Sequence, residues 1–376
     1  MSGFQPRRKI RLLIVTQNLD RGGLEEVILT YATLLDRTRY DVAVAYRVKG
    51  VVSEELSRLP EIRLFCYERA NKRQRFLALW RFAQSFKPDI VHNHFSWYGM
   101  IVGVLVGAKR VETIHNTYYW FTARERISYN LHCLLASRII AVSDHVRRFS
   151  VKFFPLLALK EIVVIHNGIN RERFEGSDDG RLRSELGIGS DDIVIGFIGR
   201  LEEQKGVTYL LHAVAEMKEH RDMLKIVIVG EGTLKQRLQD EAARLGLPNV
   251  LFPGYRRDTP RLLQMFDVFV LPSLFEGLPV VLIEAMAAGC ALVATRIGGV
   301  EEVVAHGVNG LLVEAGNSTS LASALRELIA SPVLRKRLSE QARKTVEREF
   351  SAGLMIERTE KVYRSLVPHL FEEPRQ

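Results

Sequence analysis

The chain has 376 residues, of which 47% are hydrophobic and 26% charged, a length and a balance typical of a globular protein with two domains. Its three cysteines lie far apart without metal-ligand spacing, which excludes a disulfide scaffold and a cysteine-based metal site. Residues 1–9 contain no apolar core of signal-peptide length, and the longest apolar run, 100–108, is too short to cross a bilayer. We expect a cytoplasmic protein.

The net charge of +9 is concentrated in the first half of the chain. Residues 1–172 contain 27 Lys and Arg against 15 Asp and Glu, whereas the remainder contains 26 against 29. A basic half suits an anionic partner, such as a membrane surface, an acidic acceptor or nucleic acid. Scattered solvated arginines explain the count equally well, so both interpretations stay open.

Short apolar runs alternate with helical patterns along this first half, which predicts a Rossmann-like α/β domain. The predicted strands are 10–16, 41–46, 62–66, 90–91, 111–114, 139–142 and 163–165. The predicted helices are 24–35, 75–86, 126–136 and one that runs through 149 after an N-cap at Ser143.

The first predicted strand leads to a glycine pair, Gly22-Gly23. The full G-x-G-x-x-G spacing of a dinucleotide site is missing. Either the two glycines let a phosphate or a sugar approach the backbone, or they are ordinary turn glycines.

Polar clusters end two successive strands, His92-Asn-His94 and His115-Asn-Thr117. Sites in α/β proteins form at the carboxyl edge of the sheet. A lone histidine there is more often structural, but two clusters together with the glycine pair indicate a site. The helix over 75–86 follows basic residues and presents Phe76 and Trp80, which suits either a membrane surface or, more simply, packing on the sheet.

A charged segment, 171–192, has the composition of an inter-domain connection, and the α/β alternation restarts at Ile193. The predicted strands of this second domain are 193–198, 225–229, 250–252, 268–271, 291–295 and 310–313. The predicted helices run through 217 and over 233–245, 259–265, 279–288, 321–330 and 332–349.

The rest of the chain is organised around the stretch 271–289, in which a buried strand, a loop and an apolar helix follow one another. Pro279 stands where the first helical turn should begin, and Gly289 closes the helix. Two carboxylates, Glu276 in the loop and Glu284 inside the helix, are embedded in it. Burying a carboxylate is costly unless it is paired. We expect both to accept hydrogen bonds from ligand hydroxyls, whereas the helix start suits an anion.

Arg200 and Lys205 flank a glycine-bounded loop after the strand that begins at Ile193. Such a pair can hold a diphosphate, with the arginine forking two oxygens and the lysine supplying a point charge. The alternative is surface pairing with Glu202 or Glu203. Neither D-x-D nor a metal-spaced His/Asp cluster accompanies these loops, so we expect neither a metal requirement nor a cofactor.

Over nearly its whole length the sequence resembles the GT-B glycosyltransferases of glycosyltransferase family 4. The most specific mark is Glu276-x7-Glu284 within F-E-G-L-P-x-x-x-x-E-A-M-A-A-G. Supporting marks are Gly199-Arg200 with Lys205-Gly206, Gly230-Glu-Gly232, Gly298-Gly299 with Glu301, Asn167-Gly168 and Gly22-Gly23. Cys290 departs from the pattern, where threonine is commoner. The resemblance implies an α/β fold of two Rossmann-like domains facing a central cleft.

Domain bounds follow from the same resemblance. An N-terminal acceptor-binding domain would span 1–172, joined by a C-terminal helix within 350–376, and a donor-binding domain would span 173–349. The resemblance also implies transfer with retention of anomeric configuration and without a metal.

Site residues are carried over position by position. The resemblance gives His115 and Glu276 catalytic roles. It assigns the diphosphate to Arg200 and Lys205, the sugar hydroxyls to Glu276, the ribose to Glu284, and the base, less firmly, to Tyr255 and Arg256. The full donor-binding set is Gly22, Gly23, Arg200, Lys205, Gly230, Gly232, Tyr255, Arg256, Glu276, Gly277, Leu278, Pro279, Val280 and Glu284.

The function implied is transfer of a hexose from a UDP- or GDP-linked sugar to a glycan, a lipid-linked acceptor or a polysaccharide precursor, without nucleic acid as a partner. A peripheral position on an anionic membrane surface would suit such an acceptor. Alternatives are a GT-B nucleotide-sugar epimerase, a phosphorylase, which would need a pyridoxal lysine and a longer chain, or a non-catalytic nucleotide-sugar-binding subunit.

Overall fold

The computed structural model describes residues 8–20, 22–176 and 180–371, apart from the side chain of Arg221. Contacts divide the described chain into two compact units. The first unit comprises the chain up to Gly168 together with the segment that starts at Ala352, and the second unit is Ile169–Ser351. Of the C-terminal helix expected within 350–376, residues 372–376 lie outside the described part of the chain.

The first unit is built on a parallel sheet, which has seven strands among the described residues, in the order β3-β2-β1-β4-β5-β6-β7. The central strands are buried on both faces because they are apolar runs; Leu12, Leu13 and Ile14 are fully buried. The strands are β1 (Ile10–Thr16), β2 (Tyr40–Tyr46), β3 (Arg63–Cys66), β4 (Ile90–His94), β5 (Lys109–Ile114), β6 (Arg138–Ala141) and β7 (Ile162–Val164).

Helices connect these strands and cover the sheet. They are α1 (Gly23–Leu34), α2 (Val51–Ser57), α3 (Lys72–Phe86), α4 (Trp97–Leu105), α5 (Ala123–Leu134) and α6 (Asp144–Phe153), with a 3-10 turn at Pro155–Leu159. Side-chain N-caps fix where several of these helices start. Ser143 accepts a hydrogen bond from Val146 N, which confirms the predicted N-cap of α6, and Asn71 accepts one from Gln74 N at the start of α3.

The apolar face of α3 packs on the sheet. Leu79, Ala83 and Phe86 are buried in the core of this unit, and Phe76 and Trp80 pack against that core as partly buried side chains. Of the two interpretations of this helix, the structure therefore supports packing and not a membrane contact, because the aromatic rings already face the protein.

The second unit holds a parallel sheet of six strands, counted over its described residues, in the order β10-β9-β8-β11-β12-β13. Its strands are β8 (Ile193–Ile198), β9 (Leu224–Val229), β10 (Val250–Gly254), β11 (Val268–Leu271), β12 (Ala291–Thr295) and β13 (Leu311–Val313). Its helices are α7 (Arg181–Glu185), α8 (Val207–Ala215), α9 (Lys235–Arg244), α10 (Thr259–Met265), α11 (Val280–Ala288), α12 (Gly298–Glu301), α13 (Ser318–Ala330) and α14 (Pro332–Glu349).

The last helix, α15 (Ala352–Leu366), belongs to the first unit. The phenol of Tyr31 in α1 lies 3.0 Å from Thr359 Oγ1. The phenol of Tyr363 lies 2.6 Å from Nδ1 of His92 in β4. Both contacts are buried, so this helix is joined to α1 and to the sheet by specific polar bonds as well as by apolar packing.

The described parts of the charged segment, 171–176 and 180–192, contain a 3-10 turn at Arg171–Phe174 and helix α7. Phe174 and Leu182 are buried. These two apolar side chains anchor an otherwise polar segment to the second unit.

Candidate functional site

The loop between β11 and α11, which contains Glu276, is tied to its neighbours by side-chain hydrogen bonds. Ser273 donates its hydroxyl to Glu276 Oε1 at 2.7 Å. Thr295, at the end of the adjacent strand β12, donates to the carbonyl of Ser273 at 2.5 Å. The backbone N–H of Leu274 donates to Gln204 O at 2.8 Å. The loop is therefore held between β12 and the loop that follows β8.

Lys205 and Glu276 form an ion pair across these two loops, with 2.5 Å between Nζ and Oε1. The side chains are 14% and 7% exposed, so the pair is largely shielded and each charge compensates the other. Surface pairing of Lys205 with Glu202 is not observed, because Glu202 instead accepts two hydrogen bonds from Thr233. The structure thus brings together a predicted diphosphate ligand and a predicted sugar ligand.

Arg200 begins the same loop and its side chain is exposed. Its guanidinium makes one long contact, 3.4 Å, to Oε1 of Gln204. The amide of Gln204 donates in turn to Phe275 O at 2.9 Å. Gln204 therefore links the loop after β8 to the Glu276 loop. The exposed guanidinium of Arg200 remains accessible to an anion from solvent.

The predicted glycines allow backbones to pack tightly. A Cβ on Gly230, whose φ is +144°, would lie 1.9 Å from Gly199 O, and one on Gly232 would lie 2.3 Å from Leu201 O. Gly299 shows the same crowding, because its Cβ would lie 2.0 Å from Gly277 O. These glycines position the loops that carry Arg200 and Glu276, a role different from clearing space for a ligand.

Helix α11 starts at Val280, one residue later than the sequence predicts, with Pro279 as its N-cap. Pro279 supplies no side-chain hydrogen bond, and the first turn contains no acidic residue. This helix start is therefore electropositive. Glu284 lies inside the helix as a buried residue. Gly289 ends the helix at a φ of +90°, as predicted.

Arg256, expected near the nucleotide base, is already engaged. Its guanidinium donates to both carboxylate oxygens of Asp258, at 2.9 and 2.7 Å, and also to Glu185 of α7. These hydrogen bonds, first those to Asp258, raise the pKa of Arg256. Tyr255, beside it, is partly buried at the end of β10.

Histidines from two strand ends meet in the first unit. Nδ1 of His94, at the end of β4, lies 2.9 Å from Nε2 of His115, which follows β5. The ring of His92 lies 4.3 Å from that of His94. Burial lowers the pKa of His92 and of His115 to about 3, and that of His94 also falls well below its usual range. The cluster is therefore neutral at physiological pH and acts through hydrogen bonds.

The glycine pair of the first unit lies at the start of α1, where both residues are exposed. Gly22 is the N-cap, with a φ of +145°. A Cβ there would come within 2.7 Å of Glu25 Oε2. The missing side chain therefore keeps the helix start compact.

Sequence reasoning missed the residues that support the site. These residues are Ser273 and Gln204, which fix the Glu276 loop. Ser273 lies three residues before Glu276 in a short polar loop, a spacing that could have indicated the bond. For Gln204 no local signal exists, because its partner Phe275 is 71 residues away.

Two family profiles match the chain. The profile described as "Glycosyltransferase Family 4" matches residues 21–173, and "Glycosyl transferases group 1" matches residues 178–345. A relative from Methanocaldococcus jannaschii, named as an uncharacterized glycosyltransferase, is 30% identical over 74% of this chain and 75% of its own length. The chain belongs to glycosyltransferase family 4. It is accordingly a glycosyltransferase with the GT-B fold of two Rossmann-like domains.

More distant relatives of this family 4 chain carry names that state an activity or a bound ligand. An Escherichia coli protein is 26% identical over 92% of this chain and 94% of its own length. It is named UDP-Gal:alpha-D-GlcNAc-diphosphoundecaprenol alpha-1,3-galactosyltransferase. The Anabaena protein Alr3699/HepE, solved with UDP and glucose, has a TM-score of 0.84 at 23% identity over 95% of this chain and 100% of its own. The structural likeness shows the shared fold.

Two properties of the described residues bear on metal binding and on a membrane span. Within 8–20, 22–176 and 180–371, no three His, Cys, Asp or Glu side chains are grouped as a metal-binding cluster. In the same ranges, no helix has the length and apolar character needed to cross a membrane.

Proposed function

We propose that this family 4 enzyme transfers a hexose from a UDP- or GDP-linked sugar, with retention of anomeric configuration and without a metal, to a glycan, lipid-linked or polysaccharide-precursor acceptor. The ion pair between Lys205 and Glu276 carries the proposal. An ammonium, which can bind phosphate, and a carboxylate, which can accept sugar hydroxyls, lie 2.5 Å apart in this pair. A nucleotide-sugar has these two groups next to each other, since its diphosphate is bonded to the sugar.

The diphosphate would be held by Lys205, Arg200 and the start of α11. Lys205 is presented by the loop after β8, and Arg200 stands exposed on the same loop. The backbone of Gly277, Leu278, Pro279 and Val280 leads into an uncapped helix start, which favours anions. These groups would also stabilise the negative charge that develops as the diphosphate leaves, which is the role a metal plays elsewhere.

Glu276 and Glu284 would orient the sugar and the ribose, respectively. Glu276 is fixed by Ser273 and Lys205, and an ionised carboxylate has lone pairs left to accept further hydroxyls. As Lys205 turns towards the arriving diphosphate, it would release part of its hold on Glu276. The carboxylate would then accept the sugar hydroxyls in place of the ammonium.

In the first unit, we assign His115 a hydrogen-bonding role in catalysis. Burial keeps its imidazole neutral, so it would orient a sugar hydroxyl and would not act as a general acid. In the transfer, the bond between the anomeric carbon and the diphosphate oxygen breaks. The acceptor oxygen bonds to the anomeric carbon on the same face and passes its proton to the leaving phosphate oxygen.

The relatives support a UDP-linked donor and a lipid-linked acceptor. The Anabaena structure contains UDP, and the Escherichia coli relative is named for UDP-Gal and a diphosphoundecaprenol acceptor. The excess of Lys and Arg in residues 1–172 suits a diphosphate-bearing acceptor. Such acceptors reside in membranes, so we include an anionic membrane surface on the cytoplasmic side among the proposed partners.

A donor panel tests the proposal. UDP-, GDP- and ADP-sugars are incubated with the protein and excess EDTA, with and without undecaprenyl-diphosphate-linked acceptors, while thermal shift and released nucleotide are followed. We expect one donor to stabilise the protein and to be consumed in an acceptor-dependent way. Free sugar and nucleotide formed at the same rate without acceptor would favour an epimerase, and binding without turnover would favour a non-catalytic subunit.

A further inference from the structure

Exposed apolar side chains are concentrated on one part of the first unit. Among the described residues, sixteen large hydrophobic side chains are exposed, and nine of them fall between Phe95 and Leu131. This short segment contains helices α4 and α5 and the connection between them. Scattered exposed apolar residues are normal, but a cluster marks a surface that is covered in use.

The spacing of these residues forms two stripes. On α4 the exposed side chains are Trp97, Ile101, Val104 and Leu105, which recur at intervals of about one turn. On α5 they are Ile127 and Leu131, 64% and 53% exposed. We call these six side chains the α4–α5 face. The opposite side of α4 is already used, since Met100 and Val102 are buried.

The two stripes are neighbours. Strands β4, β5 and β6 are adjacent and parallel, so the right-handed crossovers place α4 and α5 side by side on one face of the sheet. The indole of Trp97 contacts the imidazole of His132 edge-to-face at 4.7 Å. His132 is the residue after Leu131, so this contact brings Trp97 of the first stripe next to the second stripe.

Basic side chains outnumber acidic ones in the part of the chain that carries the α4–α5 face. Residues 97–160 contain nine Lys and Arg against three Asp and Glu, and one of the acids, Glu112, is fully buried. Arg124 is exposed at the start of α5, one turn before Ile127. Lys109 and Lys152 are also exposed. An apolar stripe with aromatic rings and a basic margin has the composition of a membrane-interface surface.

We propose that the α4–α5 face docks this protein onto an anionic lipid bilayer. Trp97, Ile101 and Leu105 of α4, with Ile127 and Leu131 of α5, enter the headgroup region, while Arg124 and the flanking lysines contact lipid phosphates. The sequence left a membrane surface open as one interpretation of α3, beside the simpler one of packing on the sheet. The packing of Phe76 and Trp80 against the core supports the second interpretation, and the exposed residues of α4 and α5 carry the present proposal. An anionic membrane surface is already part of the proposed function; the face assigned to it rests on exposed apolar side chains and can be tested without glycosyl transfer.

Vesicle flotation of the full chain tests it without any donor sugar. Phosphatidylcholine vesicles with about 30% phosphatidylglycerol are compared with pure phosphatidylcholine, at about 50 and 500 mM salt. We expect flotation with the anionic vesicles only, weakened by salt. The double variant Ile127→Ser/Leu131→Ser should float at least about tenfold less. The matched control is Val333→Ser, an 80% exposed valine of the second unit, which should behave like the parent protein.

Tryptophan fluorescence gives a second measurement that needs no variant. The chain has three tryptophans; Trp97 and Trp120 are exposed in this segment, and Trp80 packs on the core. Lipids brominated near the headgroup should therefore quench the emission, and the Trp97→Phe/Trp120→Phe variant should float while losing most of that quenching. No flotation with anionic vesicles at low salt, or equal flotation of the Ile127/Leu131 variant, would overturn the proposal. A dimer that this variant dissociates, without vesicle binding, would assign the face to a second copy of the chain.

Discussion

Lys205 and Glu276 are 71 residues apart in the chain, yet their charged groups lie 2.5 Å from each other on adjacent loops of the second unit. Each was assigned a different part of the donor from sequence patterns. Their pairing gives each charge a counter-charge within the protein, for which a diphosphate would compete. If the donor diphosphate binds Lys205 as proposed, donor binding and local stability are coupled at this pair.

Replacing Lys205 by Met should weaken donor affinity by at least about tenfold, since a charge-assisted phosphate contact is lost. It should also lower the free energy of unfolding by about 1–3 kcal/mol, because Ser273 is then the one side-chain partner that the described residues leave to Glu276. Calorimetric titration with the donor and urea unfolding measure the two effects. Glu203→Gln, on the same loop but exposed, is the control and should change neither. Unchanged donor affinity in Lys205→Met would remove this residue from the site.

Gly299→Ala should lower turnover although Gly299 itself is assigned no contact with the donor. The added Cβ would lie 2.0 Å from Gly277 O and 2.9 Å from Glu276 O, so the loop that carries Glu276 must move. We expect a fall in turnover of at least about tenfold, because small displacements of positioning groups are costly. Gly353→Ala in α15 is the matched control: no heavy atom lies within 4 Å of its added Cβ, and helix propensity predicts a gain of about 0.5–1 kcal/mol. Equal turnover of both variants would contradict the positioning role of Gly299.

The histidine cluster predicts acid sensitivity of the first unit. His92 has a folded pKa of about 3, below its unfolded value, so the unfolded chain binds more protons between that pH and about 6.5. The free energy of unfolding should therefore fall as the pH drops through this window, by about 2 kcal/mol at pH 5 for His92 alone. Hydrogen exchange at pH 7 and pH 5, corrected for intrinsic rates, should show protection lost mainly in β4, β5 and α15. Equal losses in both units would count against this account.

Tyr363→Phe should lower the free energy of unfolding by weakening the attachment of α15 to the sheet. The variant removes the phenol that bonds Nδ1 of buried His92 at 2.6 Å, and an unsatisfied buried polar group costs about 1–3 kcal/mol. Urea unfolding should show that loss. Ser365→Ala, which removes a local bond to Val362 O, should cost less than about 0.5 kcal/mol. If the tyrosine variant were as stable as the serine variant, the His92 bond would not hold α15.

Much of the fold could be predicted because its strands are apolar runs and its helices are periodic. Strand Ile193–Ile198 and helix Thr259–Met265 have the predicted bounds. Helix α4 was missed, because both of its faces are apolar and an apolar run without periodicity does not indicate a helix. Its exposed apolar face can be identified as a candidate binding surface only after the structure shows that the other face is buried.

Pairings between distant residues could not be predicted. Nothing in the sequence around Arg256 shows that Glu185, 71 positions away, engages it, or that His92 meets Tyr363 across 271 positions. Glu276 shows both what the sequence can predict and what it cannot. Its motif indicated a ligand role, whereas its ion pair with Lys205 and its bond to Ser273 depend on which loops the parallel sheet brings together.

The most direct test of the central claim is transfer by the parent protein, Glu276→Gln and His115→Ala, measured on the donor that the panel identifies and with EDTA present. The account predicts a product whose anomeric configuration, read by NMR, matches that of the donor. It also predicts turnover reduced at least about 100-fold in Glu276→Gln and clearly reduced in His115→Ala. Normal turnover and normal donor affinity in both variants would contradict the assignment of this site.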